Sequence, residues 1–153
     1  GHFVLTTIHT NDCATAVTRL IDMGIEPYLL SSTASFVINQ RLMRRVCPDC
    51  KATTGLPEVL PPELESLRMK NIHLYKAVGC ELCAGTGYQG RLPVFEMLKT
   101  SDGMRRLILR KASTAEIRKQ AVQDGLKPLL HDAITHLLDG DTTLEEVLKI
   151  VVS

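Results

Sequence analysis

The chain has 153 residues, enough for one ordinary domain or two small ones. Apolar residues make up 44% of it, but aromatics only 4% and Trp is absent, so any core is aliphatic. A net charge of +1 gives no reason to expect a nucleic-acid binder, no run of 18 apolar residues is present to span a membrane, and no signal peptide is visible.

Gly1-His2-Phe3-Val4-Leu5 reads as entry into a strand, and as the C-terminal piece of something longer. Residues 3–8 are apolar and rich in β-branched side chains, which predicts a buried strand. Asn11 or Asp12 then caps a helix whose apolar face is Cys13, Ala16, Val17, Leu20 and Ile21, and Gly24 closes it. His9 falls in the strand-to-helix loop, at the carboxyl end of the strand, where α/β sheets collect ligands. On the residues alone a lone histidine there reads as a capping or surface group. Cys13 reads as a small buried hydrophobe.

Pro27 restarts a helix to about Ser35. Residues 36–46 alternate imperfectly and predict a strand with a bulge near Gln40-Arg41, its arginines 41, 44 and 45 forming a solvated edge. Between residues 51 and 79, Pro57, Pro61 and Pro62 break the chain, and Pro62 opens a short helix towards Lys70. Gly85, Gly87 and Gly90 mark tight turning before Arg91, and residues 92–98 return as a strand. The remainder is helical. Ser113-Thr114-Ala115-Glu116 and Thr142-Thr143-Leu144-Glu145 read as capping boxes, and Leu126 to Leu138 carry an apolar stripe that Gly140 ends.

The strongest chemical signal is Cys47-Pro-Asp-Cys50, 29 intervening residues, then Cys80-Glu-Leu-Cys83. Each Cys-x-x-Cys turn brings two thiolates to one side of a tight loop, and two such turns close a tetrahedral shell. Catalytic zinc keeps a position open for water, so a closed four-cysteine set is structural. The alternatives are two disulfides, rare in the cytosol, or a redox pair, which needs one exposed low-pKa thiol rather than four. Loss of the metal is expected to unfold residues 47–83 and to leave the helices largely intact. His73 is a competing ligand only if a cysteine is not used.

Several stretches together resemble the ATPases of type II secretion and type IV pilus assembly. Thr6-Thr7-Ile8-His9-Thr10-Asn11-Asp12 is similar to that family's histidine box. Thr18 to Gly24, Gln40-Arg41-Leu42, the four cysteines, Gly87-Tyr88-Gln89-Gly90-Arg91 and Thr143-Leu144-Glu145-Glu146-Val147 follow in the family's order. Asn39 and Cys13 depart from the pattern at positions where alanine is common, and Leu92-Pro93 follow Arg91.

The resemblance implies an α/β fold. It would be the C-terminal part of a RecA-like ATPase core, with an inserted zinc-binding knob and a C-terminal helical bundle. The implied segments are residues 1–46 in the core, 47–83 in the zinc module and 84–153 in the return strand and helical subdomain. It implies a homo-hexamer on the cytoplasmic side of the inner membrane, using ATP and Mg2+, partnered by platform proteins of a secretion or pilus machine. Zn2+ on Cys47, Cys50, Cys80 and Cys83 is then structural. His9 becomes a γ-phosphate-side catalytic residue, Arg19 a nucleotide-binding residue, and Arg91, on a projecting loop, a catalytic residue acting on a neighbouring subunit. Arginine suits that task because guanidinium stays charged and forks onto phosphate oxygens. GxxxxGK[ST] occurs nowhere in the chain, so the Walker motifs are expected upstream of Gly1 and the segment alone is expected to be inactive. The alternative is a zinc-ribbon module that grips a protein or nucleic acid. Three Tyr and three Phe with net charge +1 offer such a module little basic or stacking surface.

Overall fold

The computed structural model describes residues 2–69 and 72–152. The expected end of the Pro62 helix at Lys70 therefore lies outside the described residues. The chain divides into two compact units, each built from two separate stretches: Gly1–Asn39 with Phe95–Pro128, and Gln40–Val94 with Leu129–Ser153. No helix of the described residues is long and apolar enough to cross a membrane.

The first unit is mainly helical. Helix α1 (Cys13–Asp22) is capped by Asp12, whose carboxylate accepts from the Thr15 N–H at 2.8 Å and the Thr15 hydroxyl at 2.8 Å. Arg118 pairs with the same carboxylate at 2.6 Å. Burial pushes that carboxyl's pKa up, but the Thr15 bonds and the Arg118 charge outweigh it and hold the group below its ordinary value. Helix α2 (Pro27–Thr33) opens on its proline, as its fixed φ and missing N–H favour. Helix α3 (Asp102–Leu109) is capped by Ser101. Helix α4 (Thr114–Gln123) opens on the expected box, in which Ser113 and Glu116 satisfy each other's backbone N–H. Helix α1 packs on α4 and α2, and α3 on α2 and α4. Cys13, Val17, Leu98, Met104, Ile108 and Ile117 form their dry centre.

Residues 3–8 do not form the expected strand. Among the described residues no strand pairs with them, and Phe3, Val4 and Leu5 are 86%, 74% and 84% exposed. A buried strand is held by ladder partners and by packing on its faces, and this stretch has neither here.

Two long strands, β1 (Phe36–Val46) and β4 (Tyr88–Lys99), pair with each other, and each runs through both units. The exposed-inward alternation of β1 holds through Gln40-Arg41 and slips instead at Arg44-Arg45, where two successive side chains are exposed. In β4, Leu92, Val94, Glu96 and Leu98 point inward in strict alternation.

The second unit holds the four cysteines. Strand β2 (Ala52–Thr54) pairs antiparallel with β3 (Leu74–Lys76), Thr53 opposite Tyr75. Between them residues Pro62–Met69 form a 3-10 helix. Its Leu64 and Leu67 pack with Met43, Leu60, Leu74 and Val94 and with Leu129, Ala133, Leu137 and Val147. The last four belong to helices α5 (Leu129–Leu138) and α6 (Leu144–Val152), which pack on each other.

The second capping box is diverted to tertiary partners. Thr142 Oγ1 donates to the Arg44 carbonyl at 2.9 Å, and the Thr143 hydroxyl meets Tyr88 Oη at 3.0 Å. Glu146, with a side chain only 5% exposed, accepts from the Arg44 N–H at 2.9 Å and from Arg44 Nε at 2.9 Å, and also binds Lys149. The Arg44 guanidinium stacks 3.8 Å over the Tyr88 ring. Burial pushes the Glu146 carboxyl up, but its bonds to Lys149 and Arg44 outweigh that and hold it below its ordinary value of 4.5. Glu146→Ala is expected to destabilise this unit by about 2–4 kcal/mol, below a fully buried pair because Arg44 and Lys149 are half-exposed. Glu146→Gln, which keeps an acceptor for the Arg44 N–H, is expected to lose less. Because the folded carboxyl is depressed, its contribution is present above the ordinary carboxylate range and fades as pH falls through the lowered value. Urea midpoints at pH 7 and pH 3 measure both; equal midpoints for wild type and Glu146→Ala at pH 7 contradict the expectation.

Candidate metal centre

The metal candidate is assembled by two knuckles of backbone. In the first, Cys47 ends β1's approach, its N–H donates to the Gly87 carbonyl at 2.9 Å, and Lys51 N–H returns to the Cys47 carbonyl at 3.1 Å. In the second, residues Glu81–Cys83 make one 3-10 turn and Ala84 takes a left-handed conformation. Gly85 N–H then donates to the Cys80 carbonyl at 2.8 Å.

Backbone N–H groups are aimed at the sulfurs. Gly79 donates to Cys50 Sγ at 3.3 Å, Cys80 to Cys83 Sγ at 3.1 Å and Gly87 to Cys83 Sγ at 3.2 Å. Both glycines are required by sterics as well as by φ. At Gly79 (φ +108°) a Cβ would stand 2.5 Å from the Gly85 oxygen, and at Gly87 (φ +73°) 2.6 Å from Ala77 Cβ. Of these two, Gly87 was marked by the sequence as a turn and Gly79 was not. The signal available was only its position, one residue before a knuckle.

The four sulfurs lie within 4.8 Å of one another, with Cys47–Cys80, Cys50–Cys83 and Cys80–Cys83 separations of 4.0, 3.9 and 3.7 Å. A tetrahedron with metal–sulfur bonds of about 2.3 Å has edges of about 3.8 Å. The donor set therefore fits a thiophilic ion in a closed shell. The same separations are nearly twice a disulfide bond of about 2.05 Å, and all five cysteines are free thiols. The Cys80 N–H, aided by that of Gly87, pulls the Cys83 thiol down to about 6 against the burial that opposes it. Burial pushes Cys47 up to about 11 and raises Cys50. Cys83 is thus the sulfur most readily deprotonated, and a bound cation would favour loss of the remaining thiol protons.

The other residues singled out from sequence are not members of this cluster. His9 is exposed in the loop ahead of α1, and Arg19 is exposed on α1. Arg91 is the fourth residue of β4 rather than part of a projecting loop, and it is exposed on the face opposite Leu92 and Val94. The strand extends further back than the glycines suggested, beginning already at Tyr88. Among the described residues neither Arg19 nor Arg91 forms a salt bridge. His9 and Arg19 belong to the first unit and Arg91 to the second. The arginines 41, 44 and 45 read as a plain solvated edge. Arg44 is instead tied to Glu146, and Arg45 to Asp141 at 3.3 Å.

The family model for type II/IV secretion system proteins matches residues 1–149. The chain belongs to that family. It is 43% identical to the type IV pilus assembly ATPase PilB of Thermus thermophilus, over 97% of this chain and 17% of that protein. It is 37% identical to the PilB of Myxococcus xanthus, over 97% of this chain and 27% of the relative. With the type II secretion system ATPase E of Vibrio cholerae it shares 37% identity, over 98% of this chain and 30% of the relative. The chain thus spans less than a third of each of these relatives. The cysteine quartet and the histidine stretch fall inside the segment matched to the family, so the resemblance drawn from the motifs is the correct one.

Proposed function

We propose that the chain is the C-terminal segment of a hexameric ATPase that powers assembly of pseudopili or type IV pili, for protein secretion, pilus extension or DNA uptake. The observation that carries this reading is its match, over nearly its whole length, to relatives named as pilus-assembly and secretion ATPases. In this reading residues 1–46 complete a RecA-like core, 47–83 form a zinc module and 84–153 form a return strand with a C-terminal helical subdomain. The protein works on the cytoplasmic side of the inner membrane, against platform proteins of the machine.

Zinc is the ion best suited to four thiolates in a closed tetrahedron, where it supplies folding energy and no reactive position. ATP and Mg2+ are substrate and counter-ion of the complete enzyme. His9 stands on the γ-phosphate side, Arg19 near the nucleotide and Arg91 at the boundary with a neighbouring subunit. The exposure of all three, and the absence of a salt bridge to either arginine among the described residues, support roles that an assembled ring would complete. Full-length protein that sediments as a hexamer and hydrolyses ATP with Mg2+, more slowly as His9→Ala, is the expected result. A monomer without turnover overturns the reading.

The segment by itself is expected to be inert. It has no GxxxxGK[ST] stretch, whose backbone amides and lysine cradle the phosphates, and a histidine and two arginines do not replace that cradle. A turnover assay on the 153-residue chain with Mg2+-ATP checks this. Steady phosphate release above background, abolished in His9→Ala, contradicts it.

A further inference from the structure

Three successive residues behind His9 are tied down from three different elements of the first unit. Asn39 Nδ2, on β1, donates to the Asn11 carbonyl at 2.8 Å. Arg118, on α4, pairs with Asp12 at 2.6 Å. Glu96 Oε1, on β4, accepts from the Cys13 N–H at 3.0 Å. The Cys13 thiol adds a fourth tie, its one proton shared between the Val37 carbonyl at 3.2 Å and the Glu96 carbonyl at 3.3 Å. His9 itself stays exposed while the chain immediately after it is held.

Two of these ties are not explained by folding alone. Glu96 is only 5% exposed, and among the described residues no cation pairs with it. A buried carboxylate without a cation is an expensive way to fill a strand position that any aliphatic residue suits. It faces the first N–H of α1, where the helix dipole favours negative charge. Asn39, half-buried on β1 and followed by Gln40 and Arg41, sends its amide out of the strand to a loop carbonyl rather than to another strand. Asp12 already caps the helix, so neither residue is needed to start it. What the two have in common is that they fix where the chain lies between residues 10 and 13.

We propose that Asn39 and Glu96 are positioning residues that clamp the loop bearing His9, so that the imidazole is presented in one place. This rests on the assignment of His9 to catalysis made above. The clamp makes no contact with substrate. It lowers the number of loop conformations in which His9 is out of line, which acts on the rate of the chemical step rather than on nucleotide binding.

Hydrogen exchange in the 153-residue chain reads the clamp directly. Asn39→Ala is expected to speed exchange in the peptide covering residues 9–16 about two- to tenfold, the equivalent of one modest hydrogen bond, and to leave α3 and α5 unchanged. Asn39→Asp keeps the size but presents no N–H donor at neutral pH, and is expected to match Asn39→Ala. In the full-length ATPase both variants are expected to lower kcat about two- to tenfold, with KM for ATP and thermal stability unchanged. His9→Ala combined with Asn39→Ala is expected to be no slower than His9→Ala alone, because a clamp without its histidine has nothing to present. Glu96→Gln, which keeps an acceptor for the Cys13 N–H, is expected to retain most of the protection.

Unchanged exchange in Asn39→Ala overturns the proposal. So does faster exchange with unchanged kcat when His9→Ala slows turnover, and so does full additivity of the two variants. Normal turnover in His9→Ala defeats the catalytic assignment of His9 instead, and the exchange result then decides by itself whether Asn39 holds the loop.

Discussion

Replacing Cys47 with serine is expected to abolish stoichiometric metal and to unfold the second unit while α1 to α4 persist. A structural zinc site of this kind contributes on the order of 10 kcal/mol to folding, more than a small unit has to spare. The motifs alone suggested that damage would stop at residue 83. The packing says otherwise, because Leu60, Leu64, Leu67 and Leu74 share one core with Leu129, Ala133 and Leu137 of α5 and Val147 of α6. When the knuckles open, that core loses half its walls, and α5 and α6 are expected to melt with them. Elemental analysis and hydrogen exchange together check this. Wild-type protein purified without chelator that contains no metal defeats the site. Protection that survives in α5 and α6 of Cys47→Ser defeats the shared core. Gly87→Ala is a milder route to the same end, since its Cβ would meet Ala77 and push the N–H off Cys83 Sγ.

In the full-length enzyme, Arg91→Ala is expected to cut turnover steeply while folding and metal content stay normal. Arginines that reach phosphates across a boundary contribute roughly 10³ to 10⁵ in rate in other phosphate-transfer enzymes. The lower end or less is expected here if Arg19 shares the charge, as proposed above. Arg91 suits the task physically: it stands on the exposed face of a strand, and among the described residues no carboxylate pairs with it. The chain reaches that strand from Gly87, which the sulfur of Cys83 anchors. Mixing decides between neighbours and self. Arg91→Ala subunits are combined with subunits lacking the phosphate-binding lysine of the Walker motif. Action across the boundary gives some sites an intact lysine and a neighbour's intact arginine, and activity partly returns. Action within one subunit leaves every site defective, and no activity returns.

Features set by short-range chemistry were legible in the amino-acid order. The cysteine pairs had to be local, since a knuckle spans only a few residues. Asp12 and Ser113 announced their helices because a cap bonds two or three residues ahead. What stayed hidden depended on partners far along the chain. The capping-box pattern ends on Glu145, and nothing nearby in the chain announced that the next carboxylate, Glu146, goes to Arg44, 102 residues away. Arg44 resembled a solvated edge for the same reason. Residues 3–8 have the composition of a buried strand, but composition does not supply a neighbour. Glu96 sits in the inward register of β4, where an aliphatic residue is the expectation. Its partner, the first N–H of α1, lies 83 residues earlier in the chain.

The two-stretch construction of the second unit bears on the order in which the chain leaves the ribosome. Cys47 to Cys83 emerge well before Leu129 to Val147, yet the walls of their core come from both. At about 5–20 residues per second, the thiols wait several seconds without the helices that will enclose them. If the thiols take up their metal in that interval, capture precedes burial and the ion would be a nucleus around which α5 and α6 later close. A cell short of the metal would therefore accumulate nascent chains with exposed leucines, and a proteolytic fate at this step, rather than loss of finished enzyme, is how starvation would first be felt.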